Sequence, residues 1–206
     1  AGAISPKVSP ELGFVLERSL PRHGLFTPIV HEKLSIYLRE FEHWKSKVNL
    51  TSLEGEELVQ RLVTEPAYIG RQLQMSGTLV DIGSGNGSPG IPLYAICGLK
   101  NVHLVEARTR RAAFLRHVAS LIDPGKLIVH KARVEELGPG ISNVDWFSMQ
   151  AVHPSTALLA ALSRWSSATT RVVWITNVET APKEGATPIT HDDGSIRAWV
   201  FQLDQS

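Results

Sequence analysis

Apolar positions fall first in a helical rhythm and then in an alternation of strand and helix. Ser9-Pro10 and Thr27-Pro28 each set a capping side chain ahead of a proline suited to the first helical turn, and both predict helix starts. After Pro28, Val30, Leu34, Tyr37, Leu38, Phe41 and Trp44 recur at helical spacing with Glu32, Lys33, Arg39, Glu40 and Glu42 between them, which predicts an amphipathic helix with one docking face. A further helical run is expected from about Glu54 to Gln74, broken or kinked at Pro66. From Thr78 the pattern changes. Strands are predicted at Thr78–Ile82, Val102–Glu106, Leu127–His130, Val144–Met149, Arg171–Thr176 and Ile196–Leu203, with helices opening at Pro89 and running over Arg108–Leu121 and Ser155–Trp165. Asp192-Asp193-Gly194 is a turn signal, so the last pair of strands is expected to be antiparallel. The fold class is therefore α/β: a mostly parallel, Rossmann-like sheet with helices on both faces, preceded by a helical extension. Residues 1–76 form that extension and 77–206 the core domain.

Composition narrows the class. In 206 residues, 43% hydrophobic and 20% charged side chains suffice for a packed core without disulfides or metals. Cys97 is the only cysteine, which excludes an intrachain disulfide and a cysteine zinc cluster and fits a reducing compartment. The eight histidines form no H-E-x-x-H or other compact ligand spacing, so no metal is expected. No stretch approaches the roughly 20 apolar residues of a membrane helix, and Ala1 to Pro10 lacks a signal-peptide core. A soluble, cytoplasmic monomer is the expectation, with no functional weight on Ala1-Gly2. Net charge is only +1, yet Lys100 to Glu135 holds eight basic against three acidic residues, a stripe that fits RNA phosphates or a solvated helix face.

Candidate chemistry concentrates in Asp81-Ile82-Gly83-Ser84-Gly85-Asn86-Gly87-Ser88-Pro89-Gly90. Glycines directly after a strand permit positive φ and let a ligand approach the backbone. Gly85, Gly87 and Gly90 also satisfy the dinucleotide spacing G-x-G-x-x-G, so a nicotinamide or flavin reading competes. Charge separates the two. Pyrophosphate disfavours an acid, whereas S-adenosyl-L-methionine carries a sulfonium and an ammonium, and Asp81 is the only formal charge between residues 81 and 92. The plainer reading of Asp81 is a brace for the turn. Glu106, ending the second strand, stands where an acid accepts ribose hydroxyls under either cofactor, or is a solvated strand-end acid.

The stretch from Asp81 to Leu93 resembles the cofactor loop of the glucose-inhibited division protein B family, ribosomal small-subunit RNA methyltransferases that modify guanine at ring nitrogen 7. Trp44 with Lys47-Val48-Asn49-Leu50-Thr51, Glu106 with Arg110-Arg111-Ala112-Ala113-Phe114-Leu115, and Arg133-Val134-Glu135-Glu136 resemble further family segments in the same order. The resemblance spans about residues 28 to 136. It implies a class I methyltransferase fold, S-adenosyl-L-methionine as cofactor, and ribosomal RNA or the small ribosomal subunit as partner. The candidate cofactor-binding set is Asp81, Gly83, Gly85, Ser88, Glu106, Val134, Glu135 and Gln150, of which Gly83, Ser88, Val134 and Glu135 are implied by the resemblance. Within it Ser88 replaces a bulkier apolar residue, Val134 and Glu135 meet the adenine, and Val134 reads equally as core packing. No catalytic residue is assigned.

Departures gather on the substrate side. After Arg61 the family has a His and then an Asp-Ser pair, where this chain reads Leu62-Val63-Thr64-Glu65-Pro66. A Ser-Arg-Ala becomes Met149-Gln150-Ala151, and a Lys-Gly becomes Thr176-Asn177. Because ring nitrogen 7 carries a lone pair and no proton, in-line transfer needs alignment and desolvation more than a general base. The leading expectation is a ribosomal RNA methyltransferase. The alternatives are methylation of another RNA or a small molecule, a non-catalytic cofactor- or RNA-binding module of the same fold, and last a nicotinamide oxidoreductase.

Overall fold

A computed structural model describes residues 8–22, 24, 27–138 and 140–203; Ala1-Gly2 lie outside the described residues. Two capped helices open it, α1 (Pro10–Arg22) and α2 (Pro28–Lys45). Ser9 Oγ accepts from the Leu12 amide at 3.4 Å and Thr27 Oγ1 from the Val30 amide at 3.3 Å. The predicted run from Glu54 to Gln74 resolves into α3 (Gly55–Val59), a π turn over Gln60–Thr64 and α4 (Glu65–Gln72). Pro66 has no N–H for the Leu62 carbonyl, so the ladder shifts. The Glu65 amide reaches back five residues to the Gln60 carbonyl, and the helical path continues past the proline instead of breaking.

The sheet holds β1 (Ser76–Ile82), β2 (Gly98–Val105), β3 (Leu127–His130), β4 (Val144–Gln150), β5 (Arg171–Ile175), β6 (Thr187–Thr190) and β7 (Ile196–Gln202). Its helices are α5 (Gly90–Ile96), α6 (Thr109–Ile122) and α7 (Thr156–Leu162). Strand β2 starts four residues before its expected position, because Gly98, Leu99 and Asn101 pair with β1, the register shifting past Lys100, although Lys100 and Asn101 interrupt the apolar pattern. Strand order is β3-β2-β1-β4-β5-β7-β6, with β7 antiparallel to both neighbours and the rest parallel.

Strand alternation sends Leu79 and Leu104 to one face, and Val80 and Val105 to the other. The first face is covered by α1 to α6. Here Phe114 of α6 is fully buried between Phe41 and Trp44 of α2, with ring centroids 6.4 and 5.9 Å away. Glu40, expected between the docking positions, is buried too, held by Arg39 and His117 at 2.8 Å each. The second face is covered by α7 and the turn over Val134–Glu136. Strand order reverses between the parallel neighbours β1 and β4, and the crevice at such a switch point is where open α/β sheets place ligands. No helix among the described residues is long and apolar enough to cross a membrane.

Candidate functional site

Strand β1 ends in the crevice and hands the chain to the glycine loop, which ends at the start of α5. Positive φ at Gly83 (69°), Gly85 (49°) and Gly87 (97°) folds the loop tightly. Its polar groups are tied in from several directions. The Gly87 amide donates to the Ser84 carbonyl at 2.6 Å, the Ser88 amide to Asn86 Oδ1 at 3.0 Å, and the Tyr37 hydroxyl of α2 to the Asn86 carbonyl at 2.9 Å. Glu106 accepts from the Gly85 amide at 3.0 Å and from the Arg108 amide at 2.7 Å.

Asp81 lies beneath this loop, with no exposed surface. Its Oδ1 accepts from Ser148 Oγ at 2.6 Å, while Oδ2 lies against the start of α5 with no hydrogen bond of standard geometry. Burial pushes its carboxyl up to about 6, against the opposing pull of Ser148, Ser84 and the Gly90 amide.

Over the loop opens a cavity of about 310 Å³, and among its lining residues are Gly83, Gly85, Ser88 and Gln150, four of the eight residues singled out from sequence. Glu106 backs it through Gly85. Asp81 does not line it. Val134 and Glu135 stand apart from it, in a turn whose carbonyls accept from Arg164 Nη2 at 3.5 and 3.0 Å, with Val134 packed in the second core cluster. The fold also brings in groups that sequence spacing did not: Leu50 and Thr51 from the segment after α2, Arg61 and Leu62 from the π turn, and Arg111 from α6. Arg111 Nη2 donates to the Asn49 carbonyl at 2.8 Å. The loop's lone acid is thus accompanied by two arginines at the cavity wall, which a count along residues 81 to 92 does not reveal.

Ser88 and Gln150, both departures from the family pattern, meet here. Ser88 Oγ donates to Gln150 Oε1 at 2.9 Å, and Gln150 Nε2 donates to the Arg61 carbonyl at 3.4 Å. This bridge walls the first cavity from a second, of about 560 Å³, and Arg61, Gln150 and Ala151 line both. The second cavity also holds Thr176, Asn177 and Glu65, so the stretch after Arg61 retains a carboxylate facing the site.

The family model described as rRNA small subunit methyltransferase G (GidB) matches residues 30–179. The chain belongs to the GidB family. Ribosomal RNA small subunit methyltransferase G of Cellvibrio japonicus is 33% identical over 114 residues, 52% of this chain and 52% of that protein. The protein of that name from Xylella fastidiosa is 32% identical over 136 residues, 66% of this chain and 61% of that one. The chain spans about half the length of the curated relatives it matches first. Among solved structures, Mycoplasma capricolum TrmK in complex with S-adenosyl-homocysteine (TM-score 0.53, 12% identity, 70% of each chain) shares the fold. So does a putative methyltransferase, yhhF, from Escherichia coli (TM-score 0.50, 10% identity, 65% of this chain and 80% of that one). The GidB chain thus shares the fold of these structures, a mostly parallel seven-stranded α/β sheet.

Proposed function

We propose that this chain is an S-adenosyl-L-methionine-dependent methyltransferase acting on small-subunit ribosomal RNA, at ring nitrogen 7 of a guanine. The observation that supports it best is the junction of GidB family membership with a cavity over the glycine loop, where the strand order reverses between β1 and β4. The residues fit the cofactor. Gly83 and Gly85 line the cavity at positive φ and offer main chain without side chains. A carboxylate has room for about four hydrogen bonds, so Glu106, bound by two amides, keeps capacity for ribose hydroxyls. Gly83, Gly85 and Ser88 would hold the methionine and adenosine portions, with Val134 and Glu135 toward the adenine. Arg61 and Arg111 supply positive charge for the carboxylate end. Asp81 acts from below, through the loop it supports. Bound here, the cofactor supplies an electrophilic methyl group on a sulfonium.

The chain's own task is then alignment and exclusion of water. Guanine nitrogen 7 has no proton to remove, and accordingly no general base is required beside Gln150, which borders both cavities. Exposed Arg108, Arg110, Arg116 and Arg133 stand on α6 and its flanks, a surface suited to RNA phosphates. We infer a monomer working in the cytoplasm, where ribosomes assemble.

Titration calorimetry with S-adenosyl-L-methionine, S-adenosylhomocysteine and reduced nicotinamide dinucleotide tests the cofactor. Binding of the dinucleotide alone overturns the reading. Labelled methyl transfer to small subunits lacking the modification tests the reaction, and cofactor binding without transfer would make this chain a binding module.

A further inference from the structure

We propose that the second cavity seats the methyl-accepting base and that Glu65 reads its donor edge; this rests on the methyltransferase reading above. Glu65 is the first residue of α4, placed by the π turn, and its carboxylate is almost entirely enclosed, at 9% side-chain exposure. Its charged contacts are both long: Arg61 Nη1 at 3.5 Å and His191 Nε2 at 3.4 Å. Charge-assisted hydrogen bonds ordinarily close to about 2.7–2.9 Å, so this carboxylate has the capacity for tighter donors than the protein gives it.

The groups around Glu65 point the same way. Arg197 of β7 lies 4.7 Å over the Tyr68 ring, and its Nη2 meets His191 Nδ1. A guanidinium only donates, so Nδ1 accepts and the proton of a neutral His191 sits on Nε2, facing Glu65. His191 sits in the β6–β7 turn, beyond the matched residues 30–179, so the chain's own C-terminal hairpin completes the pocket.

A carboxylate offers two acceptors side by side. Among the RNA bases only guanine presents two adjacent donors, N1–H and the N2 amino group. Adenine and cytosine place an acceptor beside their amino group, and uracil has a single donor between two carbonyls. Nitrogen 7 lies on the opposite edge of the purine, so a guanine held at Glu65 leaves it free to face the wall shared with the first cavity. Methylation leaves positive charge on the purine, which a carboxylate at the far edge favours. A site built on such hydrogen bonds rejects a ligand that lacks one of the donors.

The test compares guanosine 5′-monophosphate with inosine 5′-monophosphate, which lacks the N2 amino group, on protein saturated with S-adenosylhomocysteine, with dissociation constants read by NMR titration. Wild type is expected to favour the guanine nucleotide by about tenfold, and Glu65→Gln to bring the ratio within about twofold. A wild-type ratio near one overturns the proposal without any variant. An unchanged ratio in Glu65→Gln overturns it as well and leaves Glu65 as a tie between α4 and the hairpin. Failure of methyl transfer to ribosomal RNA with the guanine preference and its loss in Glu65→Gln both observed would count against the methyltransferase reading and for the base pocket.

Discussion

The two cavities that share Arg61, Gln150 and Ala151 are built in opposite ways. The first opens over the glycine loop, which is tied to α2, to the end of β2 and to itself by bonds of 2.6 to 3.0 Å. The second gathers the ionisable side chains of Arg61, Glu65, Glu179, His191 and Arg197, and the contacts of its enclosed carboxylate are 3.4 and 3.5 Å. A small invariant ligand is gripped by a loop already fixed by its own hydrogen bonds. A base delivered by a large RNA needs side chains that close on it after arrival. Substitutions should therefore be severe in the glycine loop and beneath it, and slight where the two cavities meet.

The largest effect is expected at Gly87. Its φ is 97°, and a Cβ there would lie 2.7 Å from Ile91 Cδ1 and 3.0 Å from Tyr37 Cε2, between α5 and α2. Backbone strain of about 1–3 kcal/mol adds to a similar overpacking cost, so Gly87→Ala should lower unfolding stability by about 3 kcal/mol. Urea denaturation reads this directly. A loss below about 1 kcal/mol would mean that the loop has slack, and the contrast between the two walls would fail.

Asp81 tests the support of the same loop by pH. Its carboxyl is raised from 3.8 to about 6, so the folded state binds the proton more tightly than the unfolded chain. Its contribution is greatest below about pH 4 and is lost as pH rises to about 6, up to about 3 kcal/mol by pH 7. Asp81→Asn should remove that slope. The stability difference between variant and wild type, followed by denaturation from pH 4 to 7, should grow in the variant's favour. A difference constant with pH would show that Asp81 is not held against burial.

How much of this was readable depended on whether the relevant neighbours are close in sequence. The caps at Ser9 and Thr27, most of the strand–helix alternation and the glycine loop are local patterns, and the structure places them where the spacing does, apart from the early start of β2 and the short edge strand β6, which no apolar alternation announces. The helical run at Pro66 is interrupted, as the proline leads one to expect, but by a π turn that absorbs the proline's missing donor, a form that no apolar period announces. Arg111 reaches the cavity from α6, and His191 reaches Glu65 from a hairpin on the far side of the sheet. Such pairs are created by topology. Glu65 had one local sign, its place four residues after Arg61 on one helix face, which ordinarily marks a surface ion pair.

The smallest effect belongs to the wall between the cavities. Ser88 and Gln150 are 62 residues apart and both depart from the family pattern, yet they share a 2.9 Å hydrogen bond. If the two replacements belong together, each single alanine variant strands a partner in a half-closed wall, whereas the double variant strands neither. A double-mutant cycle on urea stability should give a coupling of about 1 kcal/mol, and the Gln150→Ala change alone should cost no more than about 1.5 kcal/mol. Strict additivity would mean that the two side chains arrived independently, and Ser88 would then belong to the cofactor wall alone. A coupling as large as the Gly87 effect would instead extend the rigid wall across Gln150, and with it the absence of slack into the acceptor side.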